Sequence, residues 1–248
     1  MHLNTTTIGR RTSTVLVAAA AAVAVLAPVA SAGVGSDPQN LRAAGAAELT
    51  PAEYVKYLEK QDDPEAKDAL ASFKALPKGD QAKFVDYLQD EDVFKAFTEE
   101  ASGPGSDTPQ SGTVTQYNSD IAFVNDAKVD RKPQSAPPVA HWNEKATYTA
   151  KIKVLGITVT KLQVWVRYQS TRAHVTKVYN SGSAVKNINA AVSIDSDNAR
   201  PWKAGGYAHA ETVWKGSLVY KGFGIRMDKK QKIRGEYNGA WTGSLKNA

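Results

Sequence analysis

The apolar positions change their period part-way along the chain. In residues 49–101 they recur every three or four positions, as Tyr54 and Leu58 do, which indicates the buried face of an α-helix. In residues 113–248 apolar and polar positions alternate, as Tyr148 and Ile152 do, which indicates half-buried β-strands. The pattern therefore predicts an α+β protein with about four N-terminal helices and a C-terminal antiparallel β-sandwich or open barrel of seven or eight strands.

Local signals mark where the helices begin. Thr50-Pro51-Ala52-Glu53 supplies an N-cap, a proline in the first turn and a capping-box glutamate. Asp63-Pro64 repeats the start signal, and apolar stripes around Phe84 and Phe94 predict the third and fourth helices. The segment around Tyr54 resembles the one around Phe84 thirty residues later, either by duplication or because both helices need an apolar stripe.

The first firm hairpin joins two alternating strands at residues 154–156. A two-residue turn would put Lys161 on the side of Ala150, whereas a three-residue loop ending at Gly156 puts Leu162 there. Glycine adopts the left-handed conformation that such a loop needs, so we predict the three-residue loop. The opposite face of the hairpin is then expected to carry the following residues: Lys151, Lys153, Ile157, Val159, Lys161, Trp165 and Arg167.

Net charge reverses across a segment rich in Gly, Ser and Pro. Residues 33–112 contain 8 Lys+Arg and 16 Asp+Glu, while residues 113–248 contain 21 and 9. Such a segment buries too little apolar surface to become ordered, so it is read as a linker. We predict a signal peptide at 1–32, a disordered mature N-terminus at 33–48, an acidic helical domain at 49–101, a flexible linker at 102–112 and a basic β domain at 113–248.

The N-terminus predicts export. Arg10 and Arg11 precede an apolar run from Val15 to Leu26, and Ala30-Ser31-Ala32 offers a cleavage site after Ala32. The apolar run is shorter than the roughly 20 residues that a membrane anchor needs. Polar residues after the arginine pair favour ordinary secretion over a twin-arginine signal. The signal and the alanine-rich composition resemble those of bacterial exported proteins, and we expect a secreted protein without an integral membrane segment after cleavage.

Several classes of site are excluded by composition and motif. The chain has no cysteine, which excludes disulfides and thiolate zinc sites. It has no Gly-x-Ser-x-Gly elbow, His-Glu-x-x-His motif or phosphate-binding glycine loop. Asp195-Ser196-Asp197-Asn198 could bind calcium loosely but is more typical of an Asx turn. We expect no cofactor and no metal in the main hypothesis.

Cations interleaved with aromatics form the main candidate site. The motif Asp228–Lys232 is interpreted as a hairpin tip between two strands, where lysines also protect strand edges from pairing. Lysine and arginine attract phosphate or carboxylate, and aromatic rings add flat apolar surface. The candidate binding residues are Lys151, Lys153, Lys161, Trp165, Arg167, Lys229, Lys230, Lys232, Arg234, Tyr237 and Trp241.

The expected ligand is an anionic envelope polymer, a lipid surface or a protein partner outside the cell, which would suit an antimicrobial factor. No dedicated nucleic-acid motif is present, so specific nucleic-acid binding is not expected. The acidic helical domain is the expected intramolecular partner: it would dock on the cationic face as a mask or pro-segment.

Two alternatives use other residues. His209 and Glu211 lie two positions apart on a predicted strand, and His174 could complete a zinc site of a secreted hydrolase. Alternatively, the pair forms an ordinary cross-strand polar contact. An exposed loop at residues 196–206, with Arg200-Pro201, would suit a secreted protease inhibitor, although the same residues suit a simple turn.

Overall fold

A computed structural model describes residues 48–100, 112–134, 141–218 and 225–248. The predicted signal peptide, the mature N-terminus up to residue 47 and linker residues 102–111 lie outside the described residues. The helices are α1 Pro51–Glu59, α2 Pro64–Ala75, α3 Lys78–Leu88 and α4 Glu91–Glu100. The strands are β1 Thr113–Gln116, β2 Ile121–Pro133, β3 Trp142–Val154, β4 Ile157–Ser170, β5 Val175–Asn187, β6 Val192–Ser196, β7 Arg200–Ala204, β8 Tyr207–Leu218, β9 Ile225–Gly235 and β10 Trp241–Asn247.

The strands form two antiparallel five-stranded sheets. The first sheet has the order β1-β2-β3-β4-β5. The second has the order β10-β9-β8-β6, and β7 also pairs with β8. The described segments thus contain more strands than the seven or eight expected, because β6 and β7 are short pieces that pair with different parts of the long strand β8.

The inner faces of the two sheets contact one another. A Cβ on Gly235 would lie 2.6 Å from a ring carbon of Tyr168, and one on Gly243 would lie 2.9 Å from Tyr148, so glycine lets the sheets approach closely. Gln231 is buried between the sheets and accepts a hydrogen bond from Nε1 of Trp214 at 2.9 Å. The core therefore lies between the sheets.

The helix start signals are confirmed. Thr50 Oγ1 accepts a hydrogen bond from the Glu53 backbone N–H, and Glu53 Oε2 accepts one from the Thr50 backbone N–H at 2.8 Å. Asp63 caps α2 through the backbone N–H of Glu65 at 2.8 Å. These contacts satisfy donors that a helix N-terminus leaves free, which is why the predicted starts agree with the structure.

The helices pack on the strands as well as on one another. Tyr54, Phe73 and Phe84 form an aromatic cluster with ring centroids 5.0–5.5 Å apart. Phe97 of α4 lies 5.5 Å from Phe123 of β2, and the Asn189 side chain donates to the Leu88 carbonyl at 3.1 Å. The described helices and strands belong to one compact unit and share one hydrophobic cluster.

The predicted three-residue loop at residues 154–156 is wrong. Val154 pairs directly with Ile157, and the two turn residues Leu155 and Gly156 have φ of 46° and 80°. A register shift at Ile152 leaves Val159 without a partner, and this β-bulge restores the alignment of Leu162 with Ala150. The predicted inward face is therefore correct from Thr160 onward, but a bulge produces it rather than the loop.

Other predictions on this hairpin and on the later strands need correction. Ile157 and Val159, expected on the polar face, are buried in the core shared with the helices.

Asp228–Lys232 is not a hairpin tip. It lies inside β9, where Lys229 and Gln231 are buried. Because Lys229 and Gln231 are polar residues at inward positions, β9 lacks the apolar–polar alternation that predicts a strand. The expected loop at 196–206 contains β7, with Pro201 on a strand that pairs only along β8, a position that proline tolerates.

Candidate functional site

Trp165 lies at the centre of the outer face of the first sheet. Along β3 and from Thr160 onward in β4, even-numbered residues such as Tyr148 and Val164 are buried, so the odd-numbered residues of these stretches point outward. Trp165 is aligned with Thr147 on one side and Gly182 on the other. A Cβ on Gly182 would collide with the indole, so the glycine allows the ring to lie against the β5 backbone.

Two cations flank this indole. Lys145 Nζ lies 5.0 Å and Arg167 Cζ 5.2 Å from the ring centroid of Trp165. The two residues are directly opposite one another on β3 and β4, where like charges repel. Asp130 is aligned with Lys145 across β2 and β3 but forms its ion pair with Lys128, and among the described residues neither Lys145 nor Arg167 has a carboxylate within salt-bridge distance. The indole stabilises both cations, and their charges remain available to a ligand.

A groove of about 680 Å³ adjoins the flanked indole. Its lining includes Asp130, Lys132, Asn143, Lys145, Arg167 and Tyr179. Asp130 pairs with Lys128 at 2.6 Å, which leaves the groove with a surplus of positive charge. Extended chains with repeated negative charges fit such an open, cationic surface better than compact neutral molecules do.

Glu144 lies beneath this groove with its side chain fully buried. The hydroxyls of Ser170 and Tyr168 donate to its carboxylate, and Arg131 Nε lies 3.7 Å from Oε1. Burial raises the pKa of Glu144, although these contacts act in the opposite direction. Glu144 is not among the residues predicted from the sequence, where its only signal is a charged residue at an inward position of an alternating strand.

The other end of the same face carries a row of three lysines. Lys151, Lys161 and Lys186 are aligned across β3, β4 and β5. Two carboxylates at the start of α2 meet this row, since Glu65 pairs with Lys161 and the N-cap Asp63 pairs with Lys186. Lys153 lies nearby in a cleft between α2 and the hairpin turn. The start of α2 thus pairs with two of the four lysines at the turn end of the face.

The structure divides the predicted binding residues between the two sheets. Lys151, Lys153, Lys161, Trp165 and Arg167 lie on the first sheet, as expected. Lys230, Lys232 and Arg234 alternate with buried residues of β9 and therefore point away from the core of the second sheet. The remaining three lie elsewhere: Lys229 is buried beside Asn247, Tyr237 follows β9 in a turn, and Trp241 stacks on Tyr148.

The proposed zinc ligands lie in different surroundings. His174 is exposed in the turn after β4, His209 stacks on Trp202, and Glu211 Oε2 lies 3.6 Å from Lys232 Nζ. Burial lowers the pKa of His209. Within the described ranges, no three His, Cys, Asp or Glu side chains form a group that could hold a metal ion, and this includes the residues around Asp195 and Asp197.

None of the described helices is both long and apolar enough to cross a membrane. Comparison of the chain with protein-family models, curated proteins and solved structures gave no significant match.

Proposed function

We propose that this protein is a secreted binding protein whose outer β-sheet face holds an anionic polymer outside the cell. In this proposal the two sheets form a β-sandwich, and residues 1–32 are removed on export. The observation that carries the proposal is the indole of Trp165 between Lys145 and Arg167, beside a groove of about 680 Å³. A repeated phosphate or carboxylate would meet both cations, and apolar parts of the polymer would lie on the ring.

The acidic helices enter the proposal as a cover for one end of this face. The ion pairs of Glu65 and Asp63 occupy Lys161 and Lys186 at the turn end. Lys145 and Arg167 lie several residues further along β3 and β4, toward the other end of the same strands. A polymer can therefore bind at the Trp165 end while α2 stays in place, so release of the helices as a pro-segment is no longer required.

The test uses the mature full-length protein and polyphosphate as a defined polyanion. We expect the double variant Lys145→Gln/Arg167→Gln to bind at least about tenfold more weakly, a loss of about 1.4 kcal/mol. The dependence of log K on log salt should also become shallower, because fewer counterions are released. Isothermal titration at several salt concentrations measures both quantities.

The matched control is Lys60→Gln/Lys67→Gln, which removes two exposed charges from the helical segment. If both double variants lose the same affinity, binding follows net charge alone and the assigned face is wrong. Vesicles of anionic and of neutral lipid form a second arm, and preference for anionic vesicles over polyphosphate would assign a lipid surface instead of a polymer.

The two alternatives gain no support from the geometry. The zinc hydrolase would need His174, His209 and Glu211 to converge, and they do not form a metal-binding group. The inhibitor would present Arg200-Pro201 on a loop, but these residues pair with β8 as part of β7. A rise in unfolding temperature on addition of zinc would restore the hydrolase hypothesis.

A further inference from the structure

The outer face of the second sheet contains a separate hollow of about 240 Å³. It lies over two neighbouring cross-strand rows of side chains. Its lining includes Trp202, His209, Arg234 and Thr242 of the first row, and Lys232 and Ser244 of the second. Drug-sized ligands occupy pockets of about 300–1,000 Å³, so this hollow suits a smaller unit with one ring.

The hollow forms because the outward side chains are large on one side of the sheet and small on the other. On the β7 side, the rings of Trp202 and His209 stack in parallel with centroids 5.0 Å apart and form a wall. On the β10 side, the aligned positions hold only Thr242 and Ser244, whose side chains are short. The space between the two sides has an aromatic wall at one end and hydroxyl groups at the other.

The middle of the hollow is cationic. Arg234 lies over the ring of Tyr207 at 4.7 Å, and its Nη2 donates to Glu236 at 2.9 Å. Arg234 Nε is buried and has no hydrogen-bond partner among the described residues. Lys232 Nζ lies 3.6 Å from Glu211, a separation beyond ordinary hydrogen-bond length. Each cation thus has a carboxylate on one side, and the exposed parts of the Lys232 and Arg234 side chains, rather than the buried Nε, remain open to an acidic group.

The aromatic wall is uncharged near neutral pH. Burial lowers the pKa of His209; the contact with the Ala204 carbonyl opposes this, and the nearby charges of Arg234 and Lys232 add to the lowering. The His209 ring nitrogen Nε2 lies 3.3 Å from the carbonyl oxygen of Ala204, which fixes the ring beside Trp202. A ligand thus meets a flat, neutral aromatic surface rather than a third cation.

We propose that this hollow binds a single pyranose ring that carries a carboxylate, a uronic acid unit. The C–H face of the sugar would lie on Trp202, whose side chain is 36% exposed. The carboxylate would pair with Lys232 and with the exposed part of the Arg234 guanidinium, and ring hydroxyls would meet Thr242 and Ser244. The site is separate from Trp165 on the first sheet, so a negative result here would not contradict the proposed function.

The experiment is an NMR titration of the ¹⁵N-labelled mature protein with sodium glucuronate and, separately, with glucose. We expect saturable shifts of the Trp202 indole and Arg234 Nε signals, with a Kd between about 0.1 and 10 mM for glucuronate. Glucose should bind at least about tenfold more weakly, because it offers nothing to the two cations. Equal shifts with glucose, or none with glucuronate, would overturn the proposal.

Variants assign the shifts to this hollow. Trp202→Ala should abolish saturable binding, and Arg234→Gln should remove the preference for glucuronate over glucose. If Arg234→Gln does not fold, Lys232→Gln tests the same charge at an exposed position. Tyr117→Ala, which removes a 41% exposed tyrosine just after β1, is the matched control and should bind as the unaltered protein does. Competition by inorganic phosphate at concentrations equal to those of glucuronate would show a simple anion site and contradict recognition of a sugar.

Discussion

The hydroxyl of Tyr54 in α1 donates a hydrogen bond to the carbonyl oxygen of Ile188, just after β5, at 3.1 Å. Tyr54 is fully buried, so this bond joins the first helix to the sheet region inside the shared core. Burial raises the pKa of Tyr54, and the hydroxyl therefore keeps its proton as a donor.

Tyr54→Phe should lower the free energy of unfolding by about 1–2 kcal/mol, because a buried acceptor loses its donor. Helices and strands should still unfold in one transition, since they share a core. Chemical denaturation followed by helix ellipticity and by tryptophan fluorescence tests both points. Tyr117→Phe is the control at an exposed tyrosine. Separate transitions for the two signals would show that the helices fold independently.

Asp63→Asn isolates the charge that α2 presents to the lysine row. Asparagine caps a helix as well as aspartate does, so the capping hydrogen bond is kept while the charge is lost from the ion pair with Lys186 and from the helix N-terminus. We expect a loss of up to about 1 kcal/mol at low salt, which shrinks as salt screens the lysine row. Thermal unfolding across salt concentrations measures the loss, with the exposed neighbour Asp62→Asn as control. A loss that does not depend on salt would point to capping rather than charge.

Glu144→Gln should stabilise the protein relative to wild type more at pH 8 than at pH 4. Because burial raises the pKa of Glu144, the folded protein holds this proton more tightly than the unfolded chain. The stabilisation from binding that proton is fully present below the pKa of the unfolded chain, about 4.5. It is lost as the pH rises through the higher pKa of the folded protein. Urea denaturation at several pH values gives the difference, and a constant difference would contradict it.

Gly156→Ala and Gly79→Ala form a matched pair. An added Cβ meets nothing within 4 Å at either position, so packing does not distinguish them. Gly156 has φ of 80°, where alanine costs about 1–2 kcal/mol. Gly79 lies in α3, where alanine should stabilise by about 0.5–1 kcal/mol. We expect the two substitutions to change the free energy of unfolding in opposite directions. Changes in the same direction would show that alanine adopts the left-handed conformation at position 156 without a cost.

The helices could be predicted because their signals are local. Thr50 and Glu53 lie three residues apart and find each other within one turn, so the sequence shows both partners of the capping box. The alternation of Tyr148 and Ile152 likewise shows which face of β3 is buried. Neither conclusion depends on which distant segment the element packs against.

The parts that could not be predicted depend on distant partners. Lys229 is inward because Asn247 of the neighbouring strand accepts its hydrogen bond, and Gln231 is inward because Trp214 donates to it. The bulge at Val159 replaces a longer loop with the same effect on register. The separation of Trp165 from Arg234 onto different sheets follows from strand order, which alternation does not encode.

The contact of α4 with the strands changes what a cut between Glu100 and Gly112 would produce. Phe97 packs on Phe123, and Phe94 belongs to a small apolar cluster with Val192 and Leu218. A protease acting there would generate two polypeptides whose buried residues belong to one hydrophobic core. The nicked protein would persist as a non-covalent heterodimer, and the two pieces, expressed separately, would be a natural pair for fragment complementation.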